Sequence, residues 1–135
     1  WHLKAQTLYD PSRDSYLDLE NALTEARVSR KKVLVEVGGD WCPWCLRLER
    51  FVQDDPALRA LRDRNFVAIK VYWGPKNTDP GVLTRFPKIP GYPHYFVLDE
   101  NHRVLQSKDT EELEFGQSYD REKVRSFFAG WPAGG

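Results

Sequence analysis

Two cysteines separated by two residues are the most chemically reactive feature of the chain. They lie in the segment Trp41-Cys42-Pro43-Trp44-Cys45, and residues three apart share one face of a helix, which brings their α-carbons within disulfide range. Pro43 suits the first turn of a helix, so Cys42 would stand at the helix N-terminus, where free N–H groups and the helix dipole favour a thiolate. We therefore expect Cys42 to be a nucleophile and Cys45, one turn further in, to be the resolving thiol.

Three other interpretations of the pair are less favoured. A structural disulfide here would close a very small loop and stabilise the fold little. Half a zinc site would need a second Cys-x-x-Cys or a His-x-x-x-His motif, and neither follows in the sequence. Inert core cysteines are not expected at a helix start that follows a strand and Gly38-Gly39. A Cys-x-x-Cys pair beside a β-α-β pattern is typical of a redox dithiol, which Trp41 and Trp44 would shield while offering a partner an apolar surface.

The elements around the pair predict an α/β fold. Apolar residues at helical spacing indicate a first helix ending near Arg30, and Val33-Leu34-Val35-Glu36-Val37 is typical of a central strand covered on both faces. Strands joined through helices should be parallel, and a hairpin is antiparallel, so we expect a mixed sheet between helices. The remaining predicted elements are a helix from 42, a helix over 57–64, a strand over 66–73, a helical stretch over 81–86, a hairpin of strands 95–98 and 103–106, and, after a polar loop, a last helix capped by Asp120.

Composition limits the kind of protein. A chain of 135 residues has room for one domain with one core, so we treat 1–135 as a single domain. Its 20 Lys and Arg balance its 20 Asp and Glu, which argues against a nucleic-acid or anionic-membrane partner. The sequence has no run of about 18 apolar residues, the length that would predict a membrane span. The sequence contains no Met and begins at Trp1, from which we expect a processed or trimmed chain.

Three separated segments together resemble the thioredoxin superfamily. They are Val33–Val37, the Trp-Cys-x-x-Cys motif at 41–45, and Ile89-Pro90-Gly91-Tyr92-Pro93, in the order and spacing of that family. The resemblance covers about residues 32–128 and implies a thioredoxin fold, with a mixed four-stranded sheet flanked by helices and an extra N-terminal helix. Tyr9-Asp10-Pro11 and the helix after it resemble a bacterial exported subgroup that includes proteins described as disulfide isomerases.

The resemblance assigns roles to two charged residues. Glu36 stands six residues before Cys42, where thioredoxin has a buried Asp, and a carboxylate in an apolar strand is costly unless it is paired or protonated. Glu36 could exchange protons with Cys45 through water during the resolving step. It could instead simply pair with Lys70, which matches the family's lysine beside that acid. The candidate catalytic residues are Cys42, Cys45, Glu36 and Lys70.

The resemblance also places a substrate-binding loop. Pro93 matches the family's cis-proline, and an X-Pro bond is the realistic place for a cis peptide, although an ordinary trans proline opening a strand is the alternative. The backbone of Tyr92 would hold substrate as an added strand. We expect His94 to be a surface strand residue, and we do not expect it to form a metal site with the cysteines. The predicted substrate-binding residues are Trp41, Pro43, Trp44, Tyr92 and Pro93.

The implied function is that of a thiol-disulfide oxidoreductase of the reductase or isomerase type. Its partners would be disulfide-containing proteins and an unidentified redox partner. We expect a monomer without cofactor or metal, periplasmic or exported after signal cleavage, with the cytoplasm as the alternative location. The alternative function is a redox-inactive binding or chaperone-like module that uses the aromatic surface around the motif, with Trp73 as a further member.

Overall fold

The computed structural model describes residues 8–134. Four α-helices, four strands of a main sheet, a small two-stranded ribbon and two short 3₁₀ turns make up these residues. The main elements are α1 (Ser15–Ser29), β1 (Lys32–Gly38), α2 (Pro43–Gln53), α3 (Pro56–Asn65), β2 (Phe66–Tyr72), β3 (His94–Leu98), β4 (Val104–Asp109) and α4 (Arg121–Ala129).

The main sheet has the strand order β2-β1-β3-β4. β1 and β2 run parallel, as expected for strands connected through helices, and β3 is antiparallel to both β1 and β4. The predicted mixed four-stranded sheet is therefore confirmed. Because β1 and β3 are its two inner strands, the sheet centre carries the apolar run 33–37 and the strand that follows Pro93.

The two faces of the sheet build two parts of the core. Side chains alternate along a strand, so Val33, Val35 and Val37 pack with α1, whereas Leu34 packs with α2, α3 and α4. Glu36 has the same parity as Leu34. It therefore points towards the face that carries α2 and the two cysteines.

Aspartates fix the starts of three helices. The Asp14 carboxylate accepts hydrogen bonds from the backbone N–H groups of Tyr16 and Leu17, at 3.0 and 3.2 Å, and so satisfies donors that the first turn of α1 leaves free. Asp55 and Asp120 do the same for α3 and α4. The chain leaves α1 through Arg30 in a left-handed conformation, where the helix was expected to end.

The segment after β4 differs from the predicted polar loop. β4 continues to Asp109, a 3₁₀ turn follows over Thr110–Leu113, and β5 (Glu114–Phe115) pairs with β6 (Ser118–Tyr119). Strands of two residues contain too little alternation to be recognised in a sequence. Among the described residues, no helix is long and apolar enough to cross a membrane.

Candidate active site

The first turn of α2 positions the cysteine pair. Cys42 is the N-cap residue of α2, in an extended conformation, and its Sγ accepts a hydrogen bond from the backbone N–H of Cys45 at 3.2 Å. Pro43 occupies the next position, where the missing N–H costs no helical hydrogen bond. The sulfur of Cys42 therefore takes the place that a Ser or Asp oxygen takes at other helix starts.

The two thiols lie in different surroundings. Cys45 is fully buried and Cys42 is 4% exposed, and both are free thiols. Burial, followed by the hydrogen bond with Cys42, raises the pKa of Cys45 well above its ordinary value. Cys45 is therefore a protonated thiol at neutral pH, and it needs a nearby proton acceptor before it can act as a nucleophile.

The loop before β3 faces the dithiol. The Cys42 thiol donates to the backbone carbonyl of Tyr92, with 3.6 Å between sulfur and oxygen, and the Tyr92–Pro93 peptide bond is cis. Pro93 is buried, and its carbonyl accepts a hydrogen bond of 2.5 Å from the Thr110 hydroxyl. The turn after β4 thus holds the same loop whose Tyr92 carbonyl touches the Cys42 sulfur.

Three aromatic side chains contact one another beside the dithiol, and one of them, Tyr92, packs against the cysteines. Trp41 is 44% exposed and meets the Tyr92 ring edge-on, with 5.7 Å between ring centres. The Trp73 ring stacks parallel to the Tyr92 ring, with 5.5 Å between ring centres. The Trp41 indole N–H donates to the Trp73 carbonyl at 2.8 Å. A Cβ on Gly39 or Gly74 would overlap the Trp41 indole, so both glycines leave the space in which this ring lies. We call Trp41, Tyr92 and Trp73 the aromatic shelf.

Trp44 has a different environment from Trp41. Its ring is half-buried and meets Tyr119 edge-on at 5.5 Å, and the Tyr119 hydroxyl donates to the Trp44 carbonyl at 3.1 Å. The Arg47 guanidinium lies 4.6 Å from the centre of the Trp44 ring. Of the two tryptophans that bracket the cysteines, Trp41 therefore presents more surface to a partner, whereas Trp44 joins α2 to the β5–β6 ribbon.

A buried carboxylate lies beneath the dithiol. Glu36 is 4% exposed, and its Oε2 accepts a 2.6 Å hydrogen bond from the Tyr9 hydroxyl. Lys70 Nζ is 3.9 Å from Glu36 Oε1 but only 2.9 Å from Glu49 Oε1. Although burial opposes the charge of Lys70, the nearby charges of Glu36 and then Glu49 raise its pKa. The predicted Glu36–Lys70 neighbourhood is therefore present, but Tyr9 supplies the short contact to Glu36.

His94 does not lie on the surface, so that prediction is wrong. β3 is an inner strand covered on both faces, and all five of its residues are buried. The His94 Nε2 lies 2.7 Å from the Ser107 hydroxyl oxygen, and the ring lies 4.8 Å from that of Phe96. Burial lowers the pKa of His94. His94 pairs in register with Val37, on the face that packs with α1, and so lies on the face opposite Glu36.

The fold brings together most of the residues that the sequence singled out. Cys42 and Cys45 cluster with Tyr92 and Trp44, and with Tyr9, which the sequence offered only as part of a family resemblance. Within residues 8–134, no three His, Cys, Asp or Glu side chains lie close enough together to hold a metal ion. The site is thus a dithiol with a buried acid next to it and, around the Tyr92 loop, one exposed and two half-buried aromatic rings.

The sequence and the fold place the chain in one family. The thioredoxin-like family matches residues 14–100, more than half of the chain and including α1, so the chain belongs to it. The resemblance to the thioredoxin superfamily and the thioredoxin fold are thereby confirmed. A search of curated protein sequences found no significant match.

Several solved structures share this fold. One, described as a disulphide isomerase from Xylella fastidiosa Temecula1, has 21% identity and a TM-score of 0.81, over 94% of this chain and 98% of that chain. The C-terminal domain of Neisseria meningitidis DsbD in its oxidised form has 16% identity and a TM-score of 0.59, over 93% and 98%. A thioredoxin from Thermus thermophilus has 23% identity and a TM-score of 0.52, over 82% and 77%. At these identities, the likeness concerns the fold.

Proposed function

We propose that the chain is a thiol-disulfide oxidoreductase that acts on protein disulfides through Cys42 and Cys45. The observation that carries the proposal is the asymmetry of the pair. The Cys42 Sγ caps the N-terminus of α2, where it accepts a hydrogen bond from the Cys45 N–H and lies against the Tyr92 carbonyl. The Cys45 thiol is buried and holds its proton, because burial raises its pKa. We therefore assign the first attack to the Cys42 sulfur and the second to the Cys45 sulfur.

The reaction proceeds in two exchanges. The Cys42 thiolate attacks one sulfur of the substrate disulfide, forms a mixed disulfide and releases the first substrate thiolate. Cys45 then gives up its proton and attacks the Cys42 sulfur, which forms the Cys42–Cys45 disulfide and releases the second substrate thiolate. Two electrons pass from the dithiol to the substrate, and solvent protons neutralise the released thiolates.

In this proposal, the buried Glu36 acts in the second exchange. Because the Cys45 thiol is protonated, its attack requires a proton acceptor, and Glu36 is the carboxylate on the same face of the sheet. The proposed role of Lys70 is electrostatic. Its ammonium group lies 3.9 Å from Glu36 and 2.9 Å from Glu49 and so offsets part of the negative charge of the two carboxylates.

The aromatic shelf and the loop before Pro93 suit an extended protein segment. The Tyr92 backbone lies against the Cys42 sulfur, where a substrate strand could pair with it. Trp41 and Pro43 are exposed beside it and offer apolar contact, whereas Trp44 and the buried Pro93 would support this surface from behind. This placement favours a protein substrate over a small charged molecule.

The direction of the reaction and its compartment belong to the same proposal. A reduction potential of the Cys42–Cys45 couple near about −270 mV would make the protein a reductant, and one near about −120 mV an oxidant. We propose a reductive or isomerising role in an exported protein. The likeness to the disulphide isomerase fold and the resemblance at Tyr9-Asp10-Pro11 support it.

Insulin reduction tests the proposal. Wild type should precipitate insulin in the presence of a dithiol donor, and Cys42→Ser should not. The matched variant Val28→Ala, at an exposed residue of α1, should behave as wild type. If wild type and Cys42→Ser are equally inactive while binding unfolded protein, the chain is a binding module instead.

A further inference from the structure

We propose that Tyr9 is a positioning residue of the dithiol site, whose hydroxyl holds the Glu36 carboxylate ready to take the proton of Cys45. This inference rests on the proposed exchange function. It concerns a residue 27 positions before Glu36, in the segment that precedes α1.

The geometry singles out Tyr9 from the other neighbours of the carboxylate. The Tyr9 hydroxyl is 2.6 Å from Glu36 Oε2, whereas the ammonium of Lys70 is 3.9 Å from Oε1. Tyr9 is 1% exposed, so water does not readily replace this contact. A buried carboxylate that lacks a donor holds its proton more strongly and is a poorer acceptor at neutral pH. The Tyr9 hydroxyl therefore supplies this buried carboxylate with the short hydrogen bond that Lys70, at 3.9 Å, does not supply.

Tyr9 also lies against the resolving thiol. A Cβ built on Gly38 would overlap Cys45 Sγ and lie 3.4 Å from the Tyr9 hydroxyl oxygen, so both groups border the same small space. Burial, and then the charge of Glu36, raises the pKa of Tyr9 well above its ordinary value. The phenol thus stays a donor over the working pH range, and it steers the carboxylate without titrating itself.

The segment that carries Tyr9 is fastened at two points. The Tyr9 backbone N–H donates to the Asp40 carboxylate at 3.0 Å, and the Asn77 side-chain amide donates to the Pro11 carbonyl at 2.8 Å. Asp40 lies between β1 and α2, two residues before Cys42. The loop that leads into the active-site helix therefore fixes the position of the residue that holds the acid.

In the described part of the chain, Tyr9 is one of six titratable side chains that surround Glu36. They come from the segment before α1, α2, β2, β3 and β6, and they are Tyr9, Cys45, Glu49, Lys70, Tyr95 and Tyr119. Burial raises the pKa of Tyr95 and Tyr119, so neither becomes charged near neutral pH. A shift in the pH profile of the second exchange in Tyr9→Phe therefore does not come from either of these two phenols.

A stopped-flow experiment with a chromogenic aromatic disulfide separates the two exchanges. The first released aromatic thiolate reports attack by Cys42, and the second reports attack by Cys45. In Tyr9→Phe, which keeps the buried ring, we expect the second phase to slow about tenfold at neutral pH, which corresponds to about 1.4 kcal/mol. The pH midpoint of that phase should move upwards, and the first phase should remain as in wild type.

Two further variants decide between positioning and a merely structural role. In a Glu36→Gln background, Tyr9→Phe should cause no additional slowing, because the hydroxyl acts through the acid. Tyr16→Phe, which removes the hydroxyl that donates to the Gly81 carbonyl, should leave both phases unchanged. An unshifted second phase in Tyr9→Phe, or additive effects with Glu36→Gln, would overturn the role of Tyr9. A wild type that releases no second thiolate would instead overturn the exchange function itself.

Discussion

Gly38 offers a sharp perturbation of the resolving thiol. It is the last residue of β1, and a Cβ at this position would overlap Cys45 Sγ and lie 3.3 Å from Cζ of the Tyr9 ring. Both neighbours are buried, so neither can swing into solvent. Gly38→Ala must therefore push α2 or the Tyr9 segment outwards, and overpacking of this kind costs about 1–3 kcal/mol.

Urea unfolding measures this cost. Gly91→Ala is the matched control, because a Cβ at Gly91 meets nothing within 4 Å. The free energy of unfolding should fall by about 1–3 kcal/mol in Gly38→Ala and change by no more than about 0.5 kcal/mol in Gly91→Ala. Equal stability of the two variants would refute the tight packing of Cys45 under β1, on which the assignment of a buried resolving thiol depends.

Two further predictions concern a buried histidine and an exposed tryptophan. Burial lowers the pKa of His94 in the folded chain, so below about pH 6.5 the unfolded chain binds a proton that the folded chain does not. The free energy of unfolding should thus decrease as the pH falls from about 6.5 towards the lowered pKa of His94. His94→Gln should remove this part of the decrease, and the control His102→Gln should retain it. Identical slopes of unfolding free energy against pH in wild type and His94→Gln would contradict the buried neutral ring. Trp41→Ala should raise KM for a protein disulfide about tenfold while leaving the reduction of a small soluble disulfide unchanged, with Val28→Ala as the exposed control, and an equal loss on both substrates would argue against docking on the aromatic shelf.

The sequence predicted the elements that have strong local signals. The apolar, β-branched-rich run from Val33 predicted the inner strand, and Asp120 predicted a helix start, because a carboxylate that follows a turn satisfies free N–H groups. The motif at 41–45 located the dithiol because the physics of a helix N-terminus acts on adjacent residues. These signals lie within a few positions of one another in the chain, so one sequence suffices to find them.

The parts that were missed depend on contacts distant in sequence. Tyr9 reaches Glu36 only after the chain has passed through α1, and a lone tyrosine before a helix gives no sign of such a partner. The burial of His94 was missed for the same reason, because it results from β1 and β4 lying on either side of β3. The ion pair of Lys70 with Glu49 joins β2 to α2, and no local pattern in the sequence predicts which helix residue reaches that lysine.

Trapping of the mixed disulfide tests the central claim, that Cys42 attacks and Cys45 resolves, most directly. Cys45→Ser and Cys42→Ser are each incubated with an excess of a disulfide-bonded peptide, and intact mass is followed over time at neutral pH. We predict that the Cys45→Ser variant accumulates a covalent adduct of one peptide thiol on Cys42, because no second cysteine is present to displace the peptide. In the Cys42→Ser variant, the remaining Cys45 thiol is buried and protonated and should react at least about tenfold more slowly. Adduct formation at equal rates in the two variants would contradict the account.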